Sequence, residues 1–202
     1  MNLTRRQCLK RLSLATACPL LSALAQPARP PNILLIYADD LGWGDVGFNG
    51  RKSWRTPHLD RLASQGTVFT RWYSAAVVCA PSRAALLTGR YTIHCGVTSN
   101  GHDLPASEVT IAEALKGRAY ATALVGKWHR GGGKEWTHPR DQGFDETYGF
   151  LDARHAWEHF PKTLWRNKNE EPANGYSADL FSDEAIKFIS RNRSNPFFLY
   201  LA

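Results

Sequence analysis

Asn32 to Gly44 reads NILLIYADDLGWG, and this stretch decides the fold. The apolar run from Asn32 to Ala38 is too short for a helix and ends at once on two carboxylates, Asp39 and Asp40, so it reads as a buried parallel strand with charge at its carboxyl end. Outward from it, strand and helix signals alternate. Thr56 followed by Pro57, with Leu59 and Leu62 ahead of Gly66, predicts a helix over 57–65. Val68 to Tyr73 suits a strand, and Pro81 to Thr88 suits a helix stopped by Gly89. Thr110 and Glu113 have capping-box spacing, so Ile111 to Lys116 is a short helix closed by Gly117, with Tyr120 to Val125 returning as a strand. Gly131 to Lys168 carries Gly, Trp, His and Pro without period and reads as irregular surface. Ala178 to Arg191 is an amphipathic helix, and Phe197 to Ala202 is a last apolar strand. The expected fold is α/β: a mostly parallel sheet flanked by helices, with its sites at the carboxyl ends of the strands. Because the chain stops on a core strand with nothing left to cover it, it is read as truncated, the amino-terminal part of a larger domain.

Composition narrows the function. The 202 residues are 43% hydrophobic, which suits a globular core. The net charge of +7 suggests nucleic acid, but Arg5, Arg6, Lys10 and Arg11 lie in the first 25 residues, which hold no acid, so the remainder carries +3 and no nucleic-acid partner is expected. Residues 1–25 read as an export signal peptide: a basic start, an apolar stretch from Leu12 to Ala25, and a small-x-small cleavage site at Ala23 to Ala25. Thr4 to Lys10 resembles the twin-arginine pattern, with Cys8 where an aromatic is usual, and the alternative is general secretion. Residues 26–31 form a spacer. The destination is periplasmic or secreted, and no apolar run is long enough for a membrane span.

Adjacent Asp39 and Asp40 need a cation or hydrogen-bond donors, and oxygen-only ligands favour Ca²⁺ or Mg²⁺ over zinc, while a solvated turn is the alternative. Cys79-Ala80-Pro81-Ser82-Arg83 puts a thiol just before a proline-started helix and a guanidinium in its first turn. One disulfide between Cys79 and Cys95 is the structural alternative. Lys127 and His129 stand two apart, so in an extended segment both point to one face.

Cys79, Pro81, Ser82 and Arg83, followed by Leu87-Thr88-Gly89-Arg90, resemble the signature of the sulfatase family, of the alkaline phosphatase-like superfamily. Agreement extends in order through Asn32–Gly44, Thr56–Gly66 with Phe69, Gly126-Lys127-Trp128-His129 and Gly143-Phe144-Asp145. The resemblance covers nearly all of 31–202, with departures at Val77 and Ala119 that touch no chemistry. It implies an alkaline phosphatase/sulfatase-like catalytic domain over 32–202, hydrolysing sulfate esters of aryl or carbohydrate alcohols to inorganic sulfate. It makes Cys79 the residue that a formylglycine-generating enzyme oxidises to an aldehyde. The hydrated aldehyde attacks sulfur with one hydroxyl and expels sulfate with the other, where a plain serine would form an ester too stable to turn over.

The same resemblance makes Asp39 and Asp40, with the Cys79 position, ligands of one divalent cation, Ca²⁺ with Mg²⁺ as the alternative. It gives Arg83 to the formylglycine hydroxyl, Lys127 to the diol and sulfate, and His129 to removal of the proton that collapses the intermediate. An aspartate-asparagine pair, a histidine and a lysine of the family site belong to sequence beyond Ala202. A non-catalytic remnant, or a phosphoester or phosphonate hydrolase of the same superfamily, are the alternatives. Trp136, Trp157 and Trp165 could stack on sugar faces and Arg130, Lys134 and Arg140 attract polyanions, which suits a sulfated carbohydrate as substrate, while tryptophans filling a small loop core are the equal alternative. His58, His94, His102, His138, His155 and His159 receive no role.

Overall fold

The computed structural model describes residues 29–130 and 138–202. The expected signal peptide and half of the spacer, 26–28, lie outside the described residues, as do Lys134 and Trp136. The body from Asn32 to Ala202 is one compact unit.

Its elements in chain order are β1 (Ile33–Ile36), α1 (Pro57–Gln65), α2 (Cys79–Thr88), α3 (Ile111–Lys116), β2 (Ala121–Arg130), β3 (Glu146–Asp152), β4 (Thr163–Arg166), β5 (Asn169–Pro172), α4 (Ser177–Asn192) and β6 (Phe197–Leu201). The sheet order is β1-β6-β2-β3-β4-β5. β1, β6, β2 and β3 run parallel, and β4 and β5 add an antiparallel hairpin at the far edge. The α/β architecture with a mostly parallel sheet is as the sequence predicts. No helix among the described residues is long and apolar enough to cross a membrane.

Alternation along the central strands builds two cores. Ala123, Val125, Phe197 and Leu199 turn to the face covered by Ala185 and Phe188 of α4. Leu124, Trp128, Phe198 and Tyr200 turn to the other face, against Leu87 of α2 and Ala112 of α3. The capping box of α3 forms as expected: Glu113 N donates to Thr110 Oγ1 (3.1 Å) and Thr110 N to Glu113 Oε2 (2.8 Å).

Several expectations are corrected. β1 is an edge strand paired with β6 alone, so Leu34 and Ile36 are exposed and only alternate side chains reach the core. Val68 to Tyr73 forms no strand; its aromatics stay in an exposed loop, where Phe69 and Trp72 touch only at the surface. Residues 146–172 hold three strands instead of an irregular surface. β3 escapes a sequence reading because Gly149 interrupts it, yet Tyr148 and Phe150 are core residues. β2 runs to Arg130, well past the expected Val125, so the strand itself carries Lys127 and His129.

That extension depends on two glycines. Gly126 has φ +113°, and a Cβ there would stand 1.8 Å from the Ala202 carbonyl oxygen; at Gly149 (φ +143°) it would meet the Gly126 oxygen at 2.1 Å. Neither obstacle is a flexible side chain. Gly126→Ala is therefore expected to destabilise the fold by roughly 3 kcal/mol or more in urea melts, and an effect under about 1 kcal/mol would refute the close-approach account.

Candidate active site

Two strand ends and one helix start meet at a single place. Past the end of β1, Asp40 takes a left-handed conformation (φ 56°), which a short polar side chain tolerates. The loop before α2 is extended at Val78, and the helix begins at Cys79, two residues earlier than the proline suggests, so the thiol sits in its first turn with Arg83 one turn on. Oxygens of Asp39 and Asp40 and the Cys79 sulfur all lie within 4.8 Å of one another. Cys79 and Cys95 are both free thiols, which removes the disulfide alternative in this structure.

Lys127 and His129 arrive from β2, but not by simple alternation. His129 has φ 64°, and the pairing of β2 with β3 shifts register between Lys127 and Arg130. Such an irregularity re-aims side chains at a strand end. Asp39, Asp40, Cys79, Lys127 and His129 thereby line one open cavity of about 620 Å³.

Asp39 is the electrostatic centre. Its Oδ2 accepts from Lys127 Nζ at 2.8 Å and its Oδ1 from Arg83 Nη2 at 3.2 Å. Partial burial would raise its pKa, but the Lys127 hydrogen bond and the Arg83 and Lys127 charges outweigh it and hold the carboxyl below its usual 3.8. Arg83 lies behind the cavity, 2% exposed, and also donates from Nη1 to the Lys127 carbonyl (2.7 Å) and the Tyr200 hydroxyl (3.3 Å). Burial pushes the Tyr200 phenol up to about 12, so it stays protonated.

His129 is driven the other way. Burial, then the Lys127 and Arg83 charges, disfavour the imidazolium, and against the opposing pull of Asp39 and Asp152 they push its pKa down to about 4. The ring is neutral near pH 7 and holds a lone pair able to take a proton. Its Nδ1, Arg83 Nε and both Asp103 oxygens are buried without hydrogen-bond partners among the described residues. Their three residues line one small cavity of about 20 Å³, room for a single water.

The donor set fits a hard divalent cation: two carboxylates converge on the Cys79 position, and Asp39 stays ionised. The solvated-turn alternative does not fit, since Asp39 is held by two cations rather than capping a backbone N–H.

Sequence reasoning missed the residues that brace these groups. Tyr37 and Ser82 hydroxyls bond to each other, and Ser82 continues to Ser74 at 2.6 Å. Asn100 Oδ1 accepts from the Ala80 N–H at 3.0 Å in the first turn of α2. Tyr37 and Tyr200 carried a readable signal, being polar-tipped aromatics inside apolar runs whose hydroxyls need partners. Of the carbohydrate candidates, Trp157 lines the site cavity, whereas Trp165 is half-buried in β4. His159 lines the cavity too; His138 and His155 bond backbone carbonyls elsewhere.

An NMR titration in metal-free buffer is expected to show His129 neutral at pH 6.5 with a midpoint near 4, and Lys127→Gln, by removing a positive neighbour, moves the midpoint up. Because this imidazole resists protonation when folded but takes a proton near 6.5 when unfolded, it makes stability fall as pH drops from 6.5 toward 4. An ordinary midpoint near 6.5 would overturn this account of the site.

The chain is 52% identical over 144 residues to mouse steryl-sulfatase, covering 63% of this chain and 23% of that protein. It is 39% identical over 205 residues to pig N-acetylgalactosamine-6-sulfatase, covering 86% and 39%. It thus spans well under half the length of these relatives. The solved structure of Ps i-CgsB in complex with k-i-k-neocarrahexaose superposes with a TM-score of 0.77 at 38% identity, over 86% of this chain and 45% of that one. The phosphonate monoester hydrolase of Agrobacterium radiobacter follows at 0.61 and 25%, over 85% and 40%. The sulfatase family model matches residues 31–202, the whole stretch that builds the sheet and brings Asp39, Cys79 and Lys127 together, and the chain belongs to the sulfatase family.

Proposed function

We propose that this chain is the nucleophile- and cation-bearing part of an exported hydrolase that cleaves sulfate esters of carbohydrates to the alcohol and inorganic sulfate. The observation that carries it is the convergence of Asp39, Asp40 and Cys79 within 4.8 Å, beside a Lys127–Asp39 ion pair and a neutral His129.

Formylglycine, made from the Cys79 thiol by an oxidising maturation enzyme, supplies as its hydrate one hydroxyl that attacks sulfur and a second that expels sulfate. The chain's own residues do the rest. Asp39 and Asp40 would hold a divalent cation, Ca²⁺ by the family resemblance with Mg²⁺ the alternative, which would offset charge on the sulfate oxygens. Lys127 spends one of its three N–H donors on Asp39 and has two to turn on the sulfate and the diol. Arg83 fixes Asp39 and the Lys127 backbone from behind and, as the family resemblance implies, also holds the formylglycine hydroxyl. His129 takes the hydroxyl proton as general base.

The leader over 1–25 supports export by the twin-arginine or general route to a periplasmic or secreted location, and likeness to a structure solved with a neocarrahexaose supports a sulfated carbohydrate.

The test is the mass of the tryptic peptide Trp72–Arg83 from a host containing a formylglycine-generating enzyme. An aldehyde at position 79 is expected, and an unmodified thiol would end the sulfatase reading for this chain. In the full-length protein, Cys79→Ala is expected to lower kcat/KM for a sulfate ester by about a thousandfold or more. Faster turnover of matched phosphate or phosphonate esters would overturn the choice of sulfate.

A further inference from the structure

The site cavity has a second chemistry that catalysis does not use. Beyond the charged groups from the strand ends, its lining includes Ala156, Trp157, Tyr176 and Phe181, from the turn after β3 and the start of α4. At about 620 Å³ it is far larger than a sulfate group needs and falls within the range of sites that enclose a small organic ligand.

Trp157 stands apart within that lining. Its residue is 75% exposed, and its ring pairs with no other aromatic among the described residues, whereas Phe181 packs on Phe150 (5.3 Å) and Tyr176 on Phe160 (5.4 Å). The backbone beneath it is nonetheless well held. His155 N donates to Asp152 Oδ1 (2.9 Å), His155 Nε2 meets the Thr163 carbonyl (3.0 Å), and Trp157 N donates to the Arg154 carbonyl (3.1 Å). Two residues on, the His159 carbonyl accepts from Ser177 N at 2.8 Å, tying the turn to α4. A large indole left open to water on a braced turn, at the mouth of a charged pocket, is preorganised to cover something flat at little entropic cost.

We propose that Trp157 is the stacking platform for the sugar ring that bears the sulfate ester. The proposal rests on the sulfated-carbohydrate reading above and adds the residue that recognises the sugar. Polar Asn100, His159 and Ser177 share the lining with the aromatics. That mixture suits a ring with a C–H face for the indole and a hydroxyl rim for hydrogen bonds; a steroid or other wholly apolar group would offer His159 and Ser177 no hydrogen bond. The indole N–H adds a donor at the edge of the stack.

The test is calorimetric binding by the full-length protein with Cys79 left as the thiol, so that no turnover intervenes, in calcium-containing buffer. The probes are galactose 6-sulfate, phenyl sulfate and propyl sulfate. Trp157→Ala is expected to weaken galactose 6-sulfate about tenfold, Trp157→Phe to keep affinity within about threefold, and propyl sulfate to be unaffected by either. Circular dichroism of each variant checks that the fold is intact.

Unchanged galactose 6-sulfate affinity in Trp157→Ala, or equal weakening of galactose 6-sulfate and propyl sulfate, overturns the platform and leaves the catalytic reading standing. A loss confined to phenyl sulfate overturns the sugar in favour of an aryl group. Failure of the wild-type chain to bind any of the three overturns both readings.

Discussion

A guanidinium taken out of water must be met by acceptors, because an unpaired buried charge costs several kcal/mol. Arg83 is such a group, and its partners come from distant parts of the chain: Asp39 after β1, the Lys127 carbonyl on β2, and the Tyr200 hydroxyl on β6. Its guanidinium also lies 5.3 Å from the centre of the Tyr37 ring. One side chain on α2 therefore ties that helix to the ends of three neighbouring strands. The same contacts hold Asp39 ionised, and burial, helped by the Lys127 and Arg83 charges, keeps His129 neutral at neutral pH. Folding and chemistry draw on one ion-pair cluster, and removing Arg83 would leave Lys127 as the remaining cation bonded to Asp39 among the described residues.

The second constraint is steric. β2, β3 and the end of β6 approach so closely at Gly126 and Gly149 that a methyl group has no place at either position. This passage lets β2 continue past the core to the bulge at Lys127–Arg130, where the left-handed His129 turns its ring into the cavity. The glycine of Gly-Lys-Trp-His is thus as necessary to the site as the lysine and histidine, although it carries no chemistry. Trp128, between them, points the other way and packs edge-on against Phe144 at 6.1 Å, which anchors the strand while its neighbours face the site.

Away from this cluster Trp43, Trp54, Phe69, Trp72, Tyr73 and Val77 are all exposed. The chain spans well under half the length of the relatives it matches.

Much was legible from the sequence alone. Caps, prolines and terminal glycines act within a few residues, so α1, α3 and α4 could be placed nearly to the residue, and the apolar runs at 32–38 and 197–202 could be read as strands of a parallel sheet. It is the resemblance of their local motifs to those of the sulfatase family, not spacing by itself, that names Asp39, Asp40, Cys79, Arg83, Lys127 and His129 as one site. The tertiary structure decided what no local pattern encodes. It made β1 an edge, turned 146–172 into three strands, paired Arg83 with Asp39, and replaced plain alternation with a kink at His129. Each of these depends on burial, close approach or charge pairing between residues dozens of positions apart, and such energies exist only once the chain has packed.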